Sequence, residues 1–180
     1  MNLTDGITPY QLQTISTMSL CSWGGWLRTT APGSAGWPSA NRAIYIPVRI
    51  SRTVTYSNAF VANGATASGN WDVGIYSFEG TSNAVRLAST GSTAQSGTSV
   101  NQLAALTASV TLVPGLYYLA CAMDGTTGTV IRTNSFTVEV LRGLGGFVQA
   151  SAFALPATAT LATYVGTVWP LFGLTQRSVV

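Results

Sequence analysis

The chain has 180 residues, of which 47% are hydrophobic and only 7% are charged, against about 25% charged residues in a typical soluble domain. All eight basic residues are arginines, histidine is absent, and the net charge is +3. The lack of histidine excludes Ser-His-Asp and Cys-His catalysis within one chain. The length predicts one domain. The low charge favours a subunit of an assembly, in which neighbouring subunits cover much of the surface. The alternative is a monomer with a neutral surface rich in Ser and Thr.

No apolar run reaches the roughly 20 residues that span a bilayer, and the first residues lack a signal-peptide pattern. We therefore expect the chain to fold in a cytosol and to have no membrane partner. The arginines are scattered along the sequence, whereas nucleic-acid binding uses a basic cluster. We therefore expect no nucleic-acid partner.

Residues 1–40 differ from the rest of the chain. Thr8 as N-cap and Pro9 at the first helical position predict a short helix over residues 8–15. A Gly/Pro-rich stretch follows, and its large apolar side chains must pack on the domain or on a neighbouring subunit. We therefore expect an N-terminal arm over residues 1–40, with four candidate assembly contacts: Trp23, Trp26, Leu27 and Trp37.

From residue 41 onward, strand patterns recur at short intervals. Residues 42–52 alternate apolar and polar positions, and Pro47 indicates an edge strand or a bulge because it cannot donate a ladder hydrogen bond. Further strands are predicted over residues 53–62, 71–78, 84–89, 100–107, 108–113, 116–123, 129–133, 135–141 and 167–174, with polar loops at 64–70 and 91–98. Short strands separated by turns predict an all-β fold.

Two of these strands organise the prediction. In residues 71–78, Trp71, Val73 and Ile75 share one face, and Asp72 points outward from the other. Residues 116–123 are apolar on both faces, which predicts a central strand covered on both sides. We therefore predict an antiparallel β-sandwich, jelly-roll-like, over residues 41–180, preceded by the arm.

The few reactive side chains do not suggest an enzyme. Asp72 and Glu79 have an odd separation, which places them on opposite faces of a continuing strand, whereas a glycosidase needs two carboxyl groups facing one cleft. Asp124 lies in a turn, where local hydrogen bonding is expected in preference to calcium binding. Cys21 and Cys121 are expected to be free, with Cys121 a small buried hydrophobe. We predict no catalytic residues, no metal and no cofactor.

Exposed aromatic rings are an alternative functional feature, because sugars stack on them. The candidate rings are Trp23, Trp26, Trp37, Trp71, Tyr76, Tyr117 and Tyr118. Trp71 is expected in the core because it alternates with Val73 and Ile75, and the loop tryptophans are expected at subunit contacts.

Several segments together resemble a group of small virion structural proteins of tailed bacteriophages. The resemblance covers residues 41–174 and is carried by residues 41–49 (NRAIYIPVR), 63–70 (NGATASGN), 72–76 (DVGIY), 88–97 (ASTGSTAQSG), 114–120 (PGLYYLA), 155–159 (LPATA) and 170–174 (PLFGL). It implies a β-sandwich or jelly-roll core and a place on the virion, and it carries no functional residues to this chain.

The expected function is therefore structural. The first expectation is a capsid decoration (cement) protein, a homotrimer that braces major capsid subunits on a virion assembled in the host cytoplasm. The alternative is a tail or fibre component that binds a host-surface glycan. A capsular depolymerase is disfavoured by the scarcity of acids, and a tail-tube or connector role is also open.

Overall fold

The computed structural model describes residues 19–22, 33–77, 82–133, 145–164, 166 and 168–176. Its strands are β1 (Ser19–Cys21), β2 (Gly33–Gly36), β3 (Arg42–Ile50), β4 (Val54–Ala62), β5 (Asn70–Ser77), β6 (Asn83–Ser89), β7 (Thr93–Ala94), β8 (Asn101–Leu112), β9 (Gly115–Met123), β10 (Thr129–Thr133), β11 (Phe147–Gln149), β12 (Thr158–Thr160), β13 (Ala162–Thr163), β14 (Trp169–Pro170) and β15 (Phe172–Thr175). The predicted helix over 8–15 and the predicted strand over 135–141 lie outside the described residues. None of the described residues belongs to a helix that is long and apolar enough to cross a membrane.

The strands form three antiparallel sheets. Sheet I has the order β1-β15-β4-β8, sheet II has the order β12-β6-β5-β9-β3-β11-β13 with β7 beside β5, and sheet III has the order β14-β10-β2. This architecture confirms the predicted all-β sandwich. Two described pieces of the segment predicted as an arm belong to these sheets, because β1 pairs with β15 and β2 pairs with β10.

Strand β9 lies at the centre of sheet II. It pairs with β3 from Gly115 to Met123 and with β5 on its other side. Leu119, Cys121 and Met123 belong to one apolar cluster, and Tyr118, Ala120 and Ala122 to another. The prediction of a central strand buried on both faces is confirmed.

The first cluster fills the space between sheets I and II. Sheet II contributes the Trp71, Val73 and Ile75 face of β5, and sheet I contributes Phe172 and Leu174 of β15. Because strand side chains alternate between faces, every second residue of β5 reaches this layer. Cys121 is fully buried here and free, as predicted.

The second cluster covers the outer face of sheet II. Alanines of β3 and β9 pack there against Ala152, Leu155, Ala159 and Leu161 from the C-terminal part of the chain. Small side chains let this segment, called here the cover segment (residues 150–161), lie close to the sheet. The cover segment includes β12, which pairs with β6.

Strand β8 differs from its prediction as two strands. It is one strand of 12 residues, and the pairing with β4 shifts between Tyr56 and Asn58, so that residues 106–109 of β8 lie opposite Ser57 alone. Such a bulge bends a strand and increases its twist. The bend brings β8 beside β6, where the Thr107 hydroxyl donates to the Ser89 carbonyl (3.0 Å).

Pro47 is accommodated as its chemistry requires. It pairs with Tyr118 of β9 on one side, while the pairing of β3 with β11 on the other side covers only Ala43–Tyr45. β3 is not an edge strand, because it lies between β9 and β11 in sheet II. Pro47 lies beyond the residues that pair with β11, so one side of β3 has no described ladder partner at this residue.

Gly74 is required by the close approach of sheet II and the cover segment. A Cβ at this position would lie 2.7 Å from the Ala88 carbonyl oxygen and 3.1 Å from Leu155 Cδ1. We expect Gly74→Ala to lower the free energy of unfolding by about 1–3 kcal/mol through overpacking, as measured by urea denaturation.

Gly125→Ala is the matched control for this prediction. A Cβ at Gly125 meets no atom within 4 Å, so the same change should leave stability within about 0.5 kcal/mol. Equal effects of the two substitutions would contradict the packing explanation, since both restrict the unfolded chain in the same way.

Candidate functional site

Three loops meet at one end of the sandwich, formed by residues 63–69, 90–100 and 124–128. We call this surface the loop end. The loops follow β4, β6 and β9, and the strand registers bring these strand ends together. Two backbone hydrogen bonds lie here: Asn63 N donates to Val100 O (2.8 Å), and Asp124 N donates to Asn70 O (3.1 Å). Backbone bonds alone therefore already join the loops to one another.

Asn63 is the centre of the loop end. It is fully buried, and its side-chain amide nitrogen donates to Ser96 O (2.7 Å), Gly97 O (3.0 Å) and Gln102 Oε1 (3.0 Å). Its Oδ1 accepts from Gln95 Nε2 (3.0 Å). One neutral amide thus satisfies backbone groups of a loop distant from it in sequence.

Gln95 extends this network to the other loops. Its Nε2 also donates to Thr129 O (2.8 Å), and its Oε1 accepts from Ser68 N (3.0 Å). Buried polar networks that are satisfied throughout rigidify a structure, because each broken bond would leave a buried group unpaired. Gln95 therefore ties the loops at 63–69 and 90–100 to each other and to Thr129, the first residue of β10 after the third loop.

Gln102 connects the network to the core. Its Oε1 accepts from Trp71 Nε1 (3.2 Å) and Ser96 N (2.8 Å), and its Nε2 donates to Ala94 O (2.8 Å). The indole of Trp71, fully buried in the first cluster, thereby finds its polar partner at the base of the loop end.

Asp124 fixes the third loop. Its two carboxylate oxygens accept from Asn70 N (2.8 Å) and Asn70 Nδ2 (2.6 Å). Gly69 precedes Asn70 with φ +74°, and a side chain there would collide with the carboxylate. The sequence predicts local hydrogen bonds for this turn aspartate, and the structure corrects this prediction, because Asp124 bonds to a residue 54 positions away.

The exposed residues of the loop end are small and uncharged, and Asp124 is half-buried. The exposed residues are Ala65, Thr66, Gly69, Ser92, Ala94, Ser96, Gly97, Thr98, Ser99, Val100, Thr126 and Thr127. Val100, with 47% of its area exposed, is the one large apolar side chain among them. The arrangement provides hydroxyl groups and backbone on a rigid frame, which suits non-covalent binding.

The four predicted assembly contacts differ in their placement. Trp37 is 2% exposed, lies in the first cluster and donates its indole N–H to Arg42 O (2.7 Å). The apolar area of its ring is therefore covered within the chain. Trp23, Trp26 and Leu27 lie outside the described residues, and their role as assembly contacts stays a prediction.

Most described rings of the aromatic set are buried. Trp71 and Tyr76 are fully buried, and Tyr118 is 3% exposed; Tyr117 is half-buried, and its hydroxyl donates to Val113 O (3.0 Å). The expectation that Trp71 belongs to the core is confirmed. These buried rings cannot stack on a sugar.

Asp72 corrects the sequence prediction of an outward-facing residue. It lies on the face of β5 opposite Trp71, but the cover segment buries that face and Asp72 is fully buried. Its Oδ2 accepts from Leu155 N (3.0 Å) and its Oδ1 from the Thr90 hydroxyl (3.1 Å). The alternation was right, and the exposure was wrong because a distant segment covers the face.

Asp72 belongs to a polar cluster that attaches the cover segment. Arg86 donates through its guanidinium to Leu155 O, and Tyr76 OH donates to Pro156 O (2.6 Å). Burial raises the pKa of Asp72, and the bonds from Leu155 and Thr90 and the charge of Arg86 offset this only in part. These groups hold the cover segment on sheet II, which indicates a structural role for them.

Asp72 and Asp124 are the described carboxylates, and both have hydrogen-bond partners within the fold. Within the described ranges, no three Cys, Asp or Glu side chains come together in a group that could hold a metal ion. Asp5, Glu79 and Glu139 lie outside these ranges. A sequence signal for Asp72 existed, since it is the one charged residue inside an apolar strand, but its partners are remote in sequence.

We expect Asn63→Ala to loosen the loop end. The substitution removes four side-chain hydrogen bonds, and unsatisfied buried groups cost about 1–3 kcal/mol each, so unfolding should become easier by at least about 2 kcal/mol. Hydrogen exchange should accelerate at residues 95–100. Thr98→Ala, at an exposed position of the same loop, should change neither, and equal exchange in both variants would contradict the network's role.

Asp72 also predicts a pH dependence of stability. The pKa of Asp72 is raised in the folded chain from an ordinary value of 3.8, so folding favours the protonated carboxyl group. The stability that the protonated group contributes is present below pH 3.8 and is lost as pH rises through the raised pKa. Asp72→Asn keeps an acceptor and cannot ionise. Relative to this variant, the wild type should lose stability across that interval in urea titrations, and parallel curves would contradict the prediction.

Comparison of the chain with protein-family models, with curated proteins and with solved structures found no match in any of the three. The similarity of residues 41–174 to bacteriophage virion proteins therefore stays a prediction from sequence. The geometry of the loop end is the main structural support for a functional proposal.

Proposed function

We propose that the chain is a non-enzymatic structural subunit of a bacteriophage virion, a capsid decoration protein that braces neighbouring major capsid subunits. The observation that carries the proposal is the loop end, where buried Asn63 and Gln95 and half-buried Gln102 hold the loops at 63–69 and 90–100 in one fixed surface. Surfaces that are ordered before binding lose little conformational entropy when they dock.

The chemistry of this surface fits docking on another protein. Its exposed residues are small, so that backbone and hydroxyl groups approach a partner closely, and Val100 offers one apolar contact. The one charged side chain of the three loops, that of Asp124, is half-buried and hydrogen-bonded to Asn70, so a partner that docks here meets no unpaired charge. A subunit repeated over a capsid also gains binding strength from multiple attachments without a strong individual contact.

The rigid interior supports the same proposal. A brace transmits load between its neighbours, and interiors packed to close density deform little. In this chain both faces of the central strand β9 are buried. The residues Trp23, Trp26 and Leu27 remain candidates for a second attachment to capsid neighbours.

A tail or fibre protein that binds a host glycan is the second candidate. It is favoured by the hydroxyl-rich loop end, where Thr66, Ser96 and Thr98 are exposed. The burial of Trp71, Tyr76 and Tyr118 removes these rings from any stacking platform, so such binding would depend on hydrogen bonds or on the residues outside the described ranges.

The test combines localisation with variants of the loop end. Immunogold labelling of the virion should mark the head evenly, and the purified chain should bind heads that lack it. Thr66→Arg and Thr98→Arg place a bulky charge on the loop end, and each should reduce head occupancy at least about tenfold, or about 1.4 kcal/mol. Thr163→Arg, exposed on β13, is the matched control and should bind like the wild type.

Other outcomes distinguish the alternatives. Labelling confined to the tail, together with specific hits on a glycan array, would replace the decoration role by the glycan-binding role. Head binding that is equal for the wild type and both loop variants would remove the loop end as the docking surface.

A further inference from the structure

Polar groups attach the middle of the cover segment to sheet II. Leu155 N donates to Asp72 Oδ2 (3.0 Å), and Leu155 O accepts from the Arg86 guanidinium. The next carbonyl, Pro156 O, accepts from Tyr76 OH (2.6 Å). Each of these bonds joins the segment to β5 or β6, so a change at one of these side chains acts directly on the segment.

The cover segment is separate from the core between sheets I and II. Its buried apolar side chains belong to the second cluster, on the opposite face of sheet II from the first, and they are Ala152, Leu155, Ala159 and Leu161. Three of the four positions in the middle and at the start carry alanine or a single leucine, and small side chains gain little from burial. Segments with few buried apolar contacts open locally at a lower free-energy cost than the whole fold.

The Thr90 hydroxyl lies between two acceptors. Its Oγ1 is 3.1 Å from both Asp72 Oδ1 and Gly91 O, and it also accepts from Val73 N (3.1 Å). A hydroxyl has one proton to donate, so beside an ionised Asp72 it leaves Gly91 O to the longer bond from the Thr93 hydroxyl (3.3 Å). A proton on Asp72 Oδ1 removes this competition, because Oδ1 then donates to Thr90 and Thr90 donates to Gly91 O. The geometry therefore fits a neutral carboxyl group.

Among the described residues, four titratable or charged groups face Asp72: Tyr45 on β3, Tyr76 on β5, Arg86 on β6 and Cys121 on β9. Burial raises the pKa of both tyrosines and of Cys121, so these three groups are neutral in acid and at neutral pH, and the guanidinium keeps its charge. The cover segment contains no titratable side chain. Within the described cluster, Asp72 is therefore the group whose charge changes between acid and neutral pH.

We propose that the cover segment is a pH-responsive lid, which is closed while Asp72 is protonated and opens from sheet II when Asp72 ionises. The Leu155 amide bonds the carboxyl group directly, so lifting the segment admits water to an ionised Asp72 and relieves the cost of burying its charge. Burial raises the pKa of Asp72 in the closed state, so protonation and closure favour each other. Closure is strongest below the ordinary value of 3.8 and weakens as pH rises through the raised pKa.

Opening of the lid exposes a face of sheet II that is otherwise covered. Tyr45 and Tyr76 are fully buried there and meet edge to face, with ring centroids 5.3 Å apart, and Tyr118 belongs to the same cluster. Tyr76 OH loses its bond to Pro156 O when the segment lifts. The lid thus couples pH to the exposure of these tyrosines.

Hydrogen exchange of the full chain across a pH series, corrected for the intrinsic pH dependence of exchange, tests the lid. The probes are the amides of residues 152, 155 and 161, each of which bonds outside the segment, and the amides of residues 119–123 in β9 are the reference. In the wild type the probes should lose protection as pH rises from below 3.8 through the titration of Asp72, while the reference amides keep theirs.

Two variants separate Asp72 from other carboxylates. Asp72→Asn keeps an acceptor for Leu155 N and cannot ionise, so its probe amides should show no such loss. Asp124→Asn, the matched change at the loop end, should respond to pH like the wild type. An unchanged pH response in Asp72→Asn would overturn the role of Asp72, and joint loss of protection in probe and reference amides would overturn the lid as a separate unit.

A titration of the Asp72 carboxyl carbon by nuclear magnetic resonance follows the group itself in the wild type, so it serves even where a variant does not fold. The midpoint should lie above 3.8 and coincide with the loss of protection at the probe amides. A midpoint at or below 3.8 would overturn the proposal. The inference does not rest on the virion role, because head binding tests the loop end and leaves the lid unaffected.

Discussion

The burial of both faces of strand β9 is the constraint on which the rest of the structure depends. One face packs between sheets I and II, and the other requires a second layer of chain over it. The cover segment supplies this layer, and alanines on β3 and β9 let it lie close to the sheet. The fold therefore has two apolar clusters that share the same central strand, and the cover segment buries the outer face of sheet II at Tyr118, Ala120 and Ala122.

Neutral amides and a few carboxylates organise the polar interior. Asn63, Gln95 and Gln102 satisfy backbone groups of three loops without burying a charge, and Asp124 fixes the loop end through Asn70. Asp72 is the exception, since its buried carboxylate anchors Leu155. A chain with so few ions orders its loops through hydrogen bonds, which remain effective when the surrounding surface is covered by a partner.

The surfaces left for interaction lie at the margins of this scaffold. The loop end is polar, and its hydrogen-bond network holds it in one arrangement. A surface that is ordered before binding loses little conformational entropy when it docks.

The sequence by itself determined the local pattern of this protein. The strands and the central place of β9 were predicted from the alternation of Trp71, Val73 and Ile75, from the run at 116–123 that is apolar on both faces, and from the position of Pro47. These signals suffice because side-chain period and backbone chemistry are local properties. Only the tertiary structure decided that Asp72 is buried, that Trp37 packs inside, that residues 101–112 form one bulged strand, and that Asn63 joins the loops at 63–69 and 90–100. These features depend on which distant segments meet, and no local spacing encodes that.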